Sequence, residues 1–318
     1  MKPLSEVFIP KNYMDELPKL KDKYFAWKMQ FSSKTDVANT GQITHYEIRD
    51  AESRGNFVLV PGLASNTEIE PLMRAITYWS LTHKYNIYAI DSFLGEFRPG
   101  VSVELASKNT LSEFMDLMDA GLEIVSKMSA GDKWTCMIGH SLGGAGVLEV
   151  FNRRVLQKKP ISFSGAILFA PFAAKGWNDF TKSIIKSHQY PNISNMEFDT
   201  KPIGLFSPHD AILNGGGRFV SIYPVFYDEI DALMPRPDLM AQYNIPVTLV
   251  VGGLDKKSPI EYIRGIYNDV RKYTKGKNIE FVEFPKSKHS FMNQHNDRDA
   301  ILRLIKTQYV RAKKSNSK

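Results

Sequence analysis

The sequence predicts an α/β fold: a mostly parallel central sheet with helices on both faces, interrupted by one long insertion. Three observations lead there. Short apolar runs without alternation stop at turn residues, as strands buried on both faces do. Amphipathic helical patterns lie between those runs, and strand–helix alternation of this kind builds parallel sheets. One interval, 172–244, breaks the rhythm. With 318 residues, 43% hydrophobic and 24% charged, the chain is ordinary globular material, long enough to bury a sizeable core.

In chain order, the opening stretch to Phe31 is rich in lysine and broken by prolines; residues 1–31 are expected to form a peripheral N-terminal arm. Ile43–Arg49 alternates as a half-buried strand would. Asn56–Val60 (NFVLV) runs into Pro61-Gly62, Asn86–Ile90 into Asp91, and Trp134–Ile138 into Gly139. Gly165–Phe169 stops at Ala170-Pro171, Val247–Val251 at Gly252-Gly253, and Ile279–Phe284 at Pro285. Leu111, Phe114, Met115, Met118, Leu122 and Val125 form one apolar stripe at helical spacing. Ile301, Leu304, Ile305 and Tyr309 form another, with Asp297 and Asp299 placed to favour that helix's first turn. The interval Phe172–Asn244 holds many aromatics, several prolines and the Gly215-Gly216-Gly217 run. A structureless loop of that length is uncommon in a compact domain, so 172–244 is expected as an inserted helical cap, or lid, on a core made of 32–171 and 245–318.

Composition removes several classes of function. The lone cysteine, Cys136, excludes an internal disulfide framework and thiolate-rich metal sites; lying inside an apolar run, it reads as a buried residue. No G-x-G-x-x-G stands at a strand–helix junction, and neither a P-loop nor metal-ligand spacing occurs. No cofactor and no metal is required. Net charge is +7, but Arg303, Lys306, Arg311, Lys313, Lys314 and Lys318 supply most of it, so the body is nearly neutral. A basic terminus can contact an anionic membrane surface; a solvated helix end whose cations complement the dipole explains it equally. No basic–aromatic cluster outside the tail points to nucleic acid. Pro3, Glu6 and Pro10 interrupt any apolar leader, so a cytoplasmic location is expected; export by another route would leave no mark here.

The chemistry-bearing signal is Gly139-His140-Ser141-Leu142-Gly143, a G-x-S-x-G sequence. It follows an apolar strand and opens the helical stretch Leu142–Gln157, the context such a motif requires. A sharp strand-to-helix turn would lift the Ser141 side chain clear and needs neighbours without bulk, hence Gly139 and Gly143. A merely structural turn is the bland alternative.

On these residues the sequence resembles the serine α/β-hydrolase superfamily, and more narrowly the capped esterases and lipases of the monoglyceride lipase and lysophospholipase type. The resemblance runs from Ile43 onward; the cap is matched only by position. It implies an α/β-hydrolase fold and a nucleophile, an acid and a histidine in the order Ser141, Asp255, His289. Asp255 follows the VTLVV run in Gly252-Gly253-Leu254-Asp255, with Pro259 beyond; Asp210 is the rival acid. His289 follows the FVEF run, with Lys288 where the family usually has glycine. His140, inside the turn, is not expected to reach around the serine, and His45, His83, His188, His209 and His295 fit worse. The resemblance also implies backbone N–H donors for an oxyanion at Leu142 and, after Pro61-Gly62, at Leu63. Asp91 matches in part an acid that organises a loop.

The function so implied is hydrolysis of an ester through an acyl-enzyme. Cap residues including Met196, Met234 and Met240 suggest a small-molecule or lipid ester with an apolar acyl or aryl group, although packing within the cap explains them equally. Acyl transfer and amide or peptide cleavage use the same three residues. A binding protein that kept the fold and lost turnover is the contrasting class.

Overall fold

The structure is a computed structural model. It describes residues 17–34, 40–49, 52–62, 67, 70–91, 111–129, 134–171, 203–206, 219–222, 229, 233, 235–274, 278–291 and 295–315.

After a 3₁₀ turn at Leu17–Lys23, the chain forms β1 (Tyr24–Ser32), β2 (Thr40–Ile48), β3 (Asn56–Val60), α1 (Pro71–Thr82) and β4 (Asn86–Asp91). Then come α2 (Leu111–Met128), β5 (Thr135–His140), α3 (Leu142–Leu156) and β6 (Gly165–Phe169). β7 (Ile203–Phe206) and β8 (Phe219–Ile222) precede β9 (Val247–Gly252), α4 (Ile260–Thr274), β10 (Ile279–Phe284) and α5 (His295–Ser315). Eight strands make one sheet in the order β1-β2-β4-β3-β5-β6-β9-β10. The β1–β2 and β2–β4 pairs are antiparallel; from β4 through β10 every pair is parallel.

The apolar runs are continuous because both faces of the sheet are covered. Val58, Val60, Met137 and Leu168 pack with α2, α3 and α4 on one face, while Phe57, Leu59, Cys136, Ile138 and Ile167 pack with α1 and α5 on the other. Successive side chains of a strand point to opposite faces, so each five-residue run feeds two cores. Cys136 is buried, and burial pushes its thiol far above the ordinary range.

Two expectations about the periphery need correction. The stretch taken as an outlying arm enters the sheet, since Tyr24–Ser32 pairs with Thr40–Ile48 along its whole length as the edge strand. One face of an edge strand can stay exposed, as Phe25 and Trp27 do, so no apolar run announced it. In the interval 172–244, β7 and β8 pair antiparallel where helices were expected. The helical turn Pro237–Met240 belongs to the core. Met240 and Tyr243 are buried, and the Tyr243 hydroxyl donates to Asn152 Oδ1 at 2.7 Å. Met240 therefore packs as core and not as substrate lining. Met196, Met234 and the triple glycine lie outside the described residues.

Among the described residues no helix is long and apolar enough to cross a membrane.

Candidate active site

The candidate site lies where the C-terminal ends of β5, β9 and β10 meet. Ser141 occupies the single residue between β5 and α3, with φ 52° and ψ −125°. Such a backbone is strained for any residue but glycine and persists only where the surroundings impose it. Here the Ser141 N–H donates to the Phe169 carbonyl at 2.8 Å, tying the turn to β6. Packing does the rest. A Cβ on Gly139 would stand 2.7 Å from Gly144 Cα, and one on Gly143 would stand 2.2 Å from the Pro61 carbonyl oxygen. Those clashes are with backbone, which cannot swing away. Gly143→Ala is therefore expected to destabilise the protein by about 1–3 kcal/mol, read from the midpoint of urea unfolding.

Asp255 is carried by the turn that leaves β9. Its Oδ1 accepts the backbone N–H groups of Lys257 (2.8 Å) and Ser258 (3.0 Å), and its Oδ2 faces His289 Nδ1 at 2.8 Å. The carboxylate is fully buried. Burial raises its pKa, but the bond to His289 and the two backbone donors outweigh that and hold it below the ordinary value.

His289 sits in the loop that leaves β10, and this loop is pressed onto the Asp255 turn. The Leu254 N–H donates to the Ser287 carbonyl at 2.9 Å, and a Cβ on Gly252 would meet the same oxygen at 2.5 Å. His289 Nε2 lies 3.0 Å from Ser141 Oγ. An ionised Asp255 can only accept, so Nδ1 must carry the proton; Nε2 of the neutral ring is then free to accept the Ser141 hydroxyl. Burial favours that neutral ring. It lowers the His289 pKa, the His140 charge lowers it further, and Asp255 offsets this in part. The three residues therefore form a continuous hydrogen-bonded line across three strand ends, able to move a proton from Ser141 to the ring.

Leu142 opens α3. As the first helical residue its N–H has no acceptor one turn back, so it is available beside Ser141. Leu63 lies outside the described residues, as do Asp210, His188 and His209. Gly62 is described, and a Cβ placed on it would come within 3.2 Å of Ser141 Cβ. Gly62 thus lies against the serine.

Two residues that line this place were not anticipated. Glu70, the residue before α1, is buried; its Oε2 accepts the Gly62 N–H at 2.9 Å and its Oε1 faces His140 Nδ1 at 2.5 Å. His140 Nε2 in turn lies 2.8 Å from the His289 carbonyl oxygen. A buried strand end that terminates in histidine must satisfy two ring nitrogens; that requirement was the available signal for His140. Nothing in the sequence around Glu70 separates it from a helix-start acid. Asp91 serves the neighbouring loop, its Oδ1 accepting both the N–H and the hydroxyl of Thr67 at 2.9 Å. Among the described residues, no group of three or more His, Cys, Asp and Glu side chains is arranged to hold a metal ion.

No protein-family model and no curated protein sequence matches the chain. Solved structures do match it. A soluble variant of monoglyceride lipase from Saccharomyces cerevisiae, crystallised with a substrate analog, superposes with a TM-score of 0.63 at 14% identity, over 86% of this chain and 92% of that one. An esterase from Pyrococcus furiosus gives 0.58 at 13% identity, over 90% and 91%. The monoacylglycerol lipase of Paleococcus ferrophilus gives 0.54 at 17% identity, over 91% and 99%. The chain has the α/β-hydrolase fold. It shares that fold with esterases and lipases, at sequence identities that carry the architecture and nothing finer.

Proposed function

We propose that the protein is a serine hydrolase that cleaves a carboxylic ester through an acyl-enzyme. The observation that carries the reading is the hydrogen-bonded line from Asp255 Oδ2 to His289 Nδ1 and from His289 Nε2 to Ser141 Oγ, at 2.8 and 3.0 Å. Ser141 Oγ attacks the acyl carbon while His289 Nε2 takes its proton. The C–O bond of the ester then breaks, and the proton passes from His289 to the departing alcohol oxygen. Water repeats the sequence in reverse, attacking the acyl carbon as it gives a proton to His289 and releasing the acid and free Ser141. Asp255 holds the ring in the reactive tautomer and stabilises the imidazolium. The Leu142 and Leu63 N–H groups would meet the oxyanion. The engaged N–H of Gly62 supports Leu63 as the donor of that loop, because the preceding donor is already used by Glu70.

The substrate under this reading is a small-molecule or lipid ester with an apolar acyl or aryl part, and the interval 172–244 serves as lid. Support comes from the aromatic content of that interval and from the lipases and esterases that share the fold. The test is a series of p-nitrophenyl esters from acetate to long-chain acyl groups. Saturable turnover with a chain-length optimum is expected; no turnover of any member would reject the reading.

The pH dependence follows from the base. His289 must be neutral to accept the Ser141 proton, and burial holds its pKa below the ordinary histidine value. The kcat/KM for an activated ester should therefore rise from acid pH and reach its plateau at lower pH than an ordinary histidine base would allow. A midpoint above 7 would contradict the buried position of the ring.

A further inference from the structure

The Ser141–His289–Asp255 line leaves unexplained a buried acid and a buried imidazole that touch it from the other side. Glu70 and His140 are both more than nine-tenths buried and face each other at 2.5 Å. Each also holds a backbone group of the candidate site. The second oxygen of Glu70 accepts the Gly62 N–H from the loop expected to supply an oxyanion donor. The second nitrogen of His140 lies 2.8 Å from the carbonyl oxygen of His289, the expected base. A carbonyl oxygen can only accept, so His140 Nε2 must carry a proton. The carboxylate opposite Nδ1 also calls for a proton, which makes the ring an imidazolium.

We infer that Glu70 and His140 form a charged positioning pair which fixes the Gly62 loop and the His289 loop relative to one another and sets the charge that the His289 ring feels. The inference rests on the serine-hydrolase reading for its functional meaning. The two residues never reach a reacting atom; they act through Gly62 and His289.

Charge agrees with the geometry. Burial disfavours the charged form of His140, but the Glu70 carboxylate, the His289 carbonyl and Asp255 together outweigh it and raise the His140 pKa. His140, the Gly62 N–H and His289 likewise outweigh burial at Glu70 and keep it anionic. The positive end of the pair stands beside His289, with ring centroids 5.0 Å apart. The other charged groups facing His289 are Asp255 and Lys257, both on the turn after β9, and Glu70 itself; Asp255 also faces His140. The pair thus keeps His289 neutral at lower pH than Asp255 alone would allow.

Glu70→Gln separates charge from geometry. A glutamine can still accept from Gly62 and donate to a neutral His140, which then donates its Nε2 proton to the His289 carbonyl. The buried, uncompensated imidazole loses its charge, so the His289 midpoint should move up by about half a pH unit, while the kcat/KM plateau stays within about threefold of the parent. Glu70→Ala, which abandons both contacts, should lower the plateau by about tenfold or more. Imidazole ¹⁵N signals, titrated by NMR and assigned with His140→Gln and His289→Gln, read both rings whether or not the protein turns over. In the unaltered protein His140 is expected to stay doubly protonated beyond pH 7.

A neutral His140 at pH 7 in the unaltered protein would overturn the inference, even if Glu70→Gln did not fold. An unmoved His289 midpoint in Glu70→Gln would also overturn it, because a purely structural pair would change stability and leave that midpoint alone. Absence of ester turnover together with the expected NMR titrations would reject the hydrolase reading and leave the charged pair standing.

Discussion

Ser141→Ala is expected to lower kcat for any ester the protein cleaves by about 10⁴- to 10⁶-fold. The substitution removes one oxygen from a half-buried side chain, and the turn that presents it is held by groups the mutation leaves intact. The Ser141 N–H still reaches the Phe169 carbonyl, and Gly139 and Gly143 still permit the contacts with Gly144 and Pro61. Far-UV circular dichroism and the unfolding midpoint should therefore change little. Residual activity above the uncatalysed rate is expected, because the Leu142 and Leu63 N–H groups and the binding surface would still stabilise a transition state attacked by water. A clean preparation of Ser141→Ala with undiminished turnover would place the chemistry elsewhere.

The second large effect is non-additivity. His289→Ala should cost about as much as Ser141→Ala, and the double variant should be no worse than either single one, because the serine without its base is a poor nucleophile and the base without its serine has nothing to deprotonate. Asp255→Asn should be comparable or milder, a loss of about 10³- to 10⁴-fold. An asparagine presents an amide that can satisfy Nδ1 in the wrong tautomer, turning the Nε2 proton toward Ser141. The rival acid Asp210 supplies the control. Severe loss in Asp210→Asn with an intact Asp255→Asn would transfer the role of acid to the interval 172–244.

Much of this arrangement was legible in the sequence, for reasons of local physics. NFVLV, NIYAI, WTCMI, GAILF and VTLVV announce themselves because a central parallel strand is buried on both faces and is therefore apolar almost throughout. Ser141 was legible because a tight strand-to-helix turn demands glycine on both sides, and the contacts of Gly139 and Gly143 bear out that demand. Asp255 and His289 follow strand ends, and the structure brings His289 to Ser141 across 148 residues of chain and to Asp255 across 34. What escaped did so where the constraint is not local. β1 lies at a sheet edge, so its pattern is exposed and mixed. β7 and β8 sit in an interval whose pattern carries no period. Glu70 and His140 are ordinary residues in one dimension; their meaning comes from meeting each other, Gly62 and His289 in three. The His140 ring faces Glu70 and the His289 carbonyl rather than Ser141, a placement that no local pattern in the sequence encodes.

The most direct test of the central claim is labelling with a fluorophosphonate probe followed by mass spectrometry of the modified peptide. Such a probe reacts with a serine only when a base and an oxyanion site activate it. The predicted result is a single adduct on Ser141 in the folded protein, absent after heat denaturation and lost or strongly slowed in His289→Ala. An unlabelled Ser141 in folded protein, or an adduct on another residue that persists in Ser141→Ala, would contradict the account.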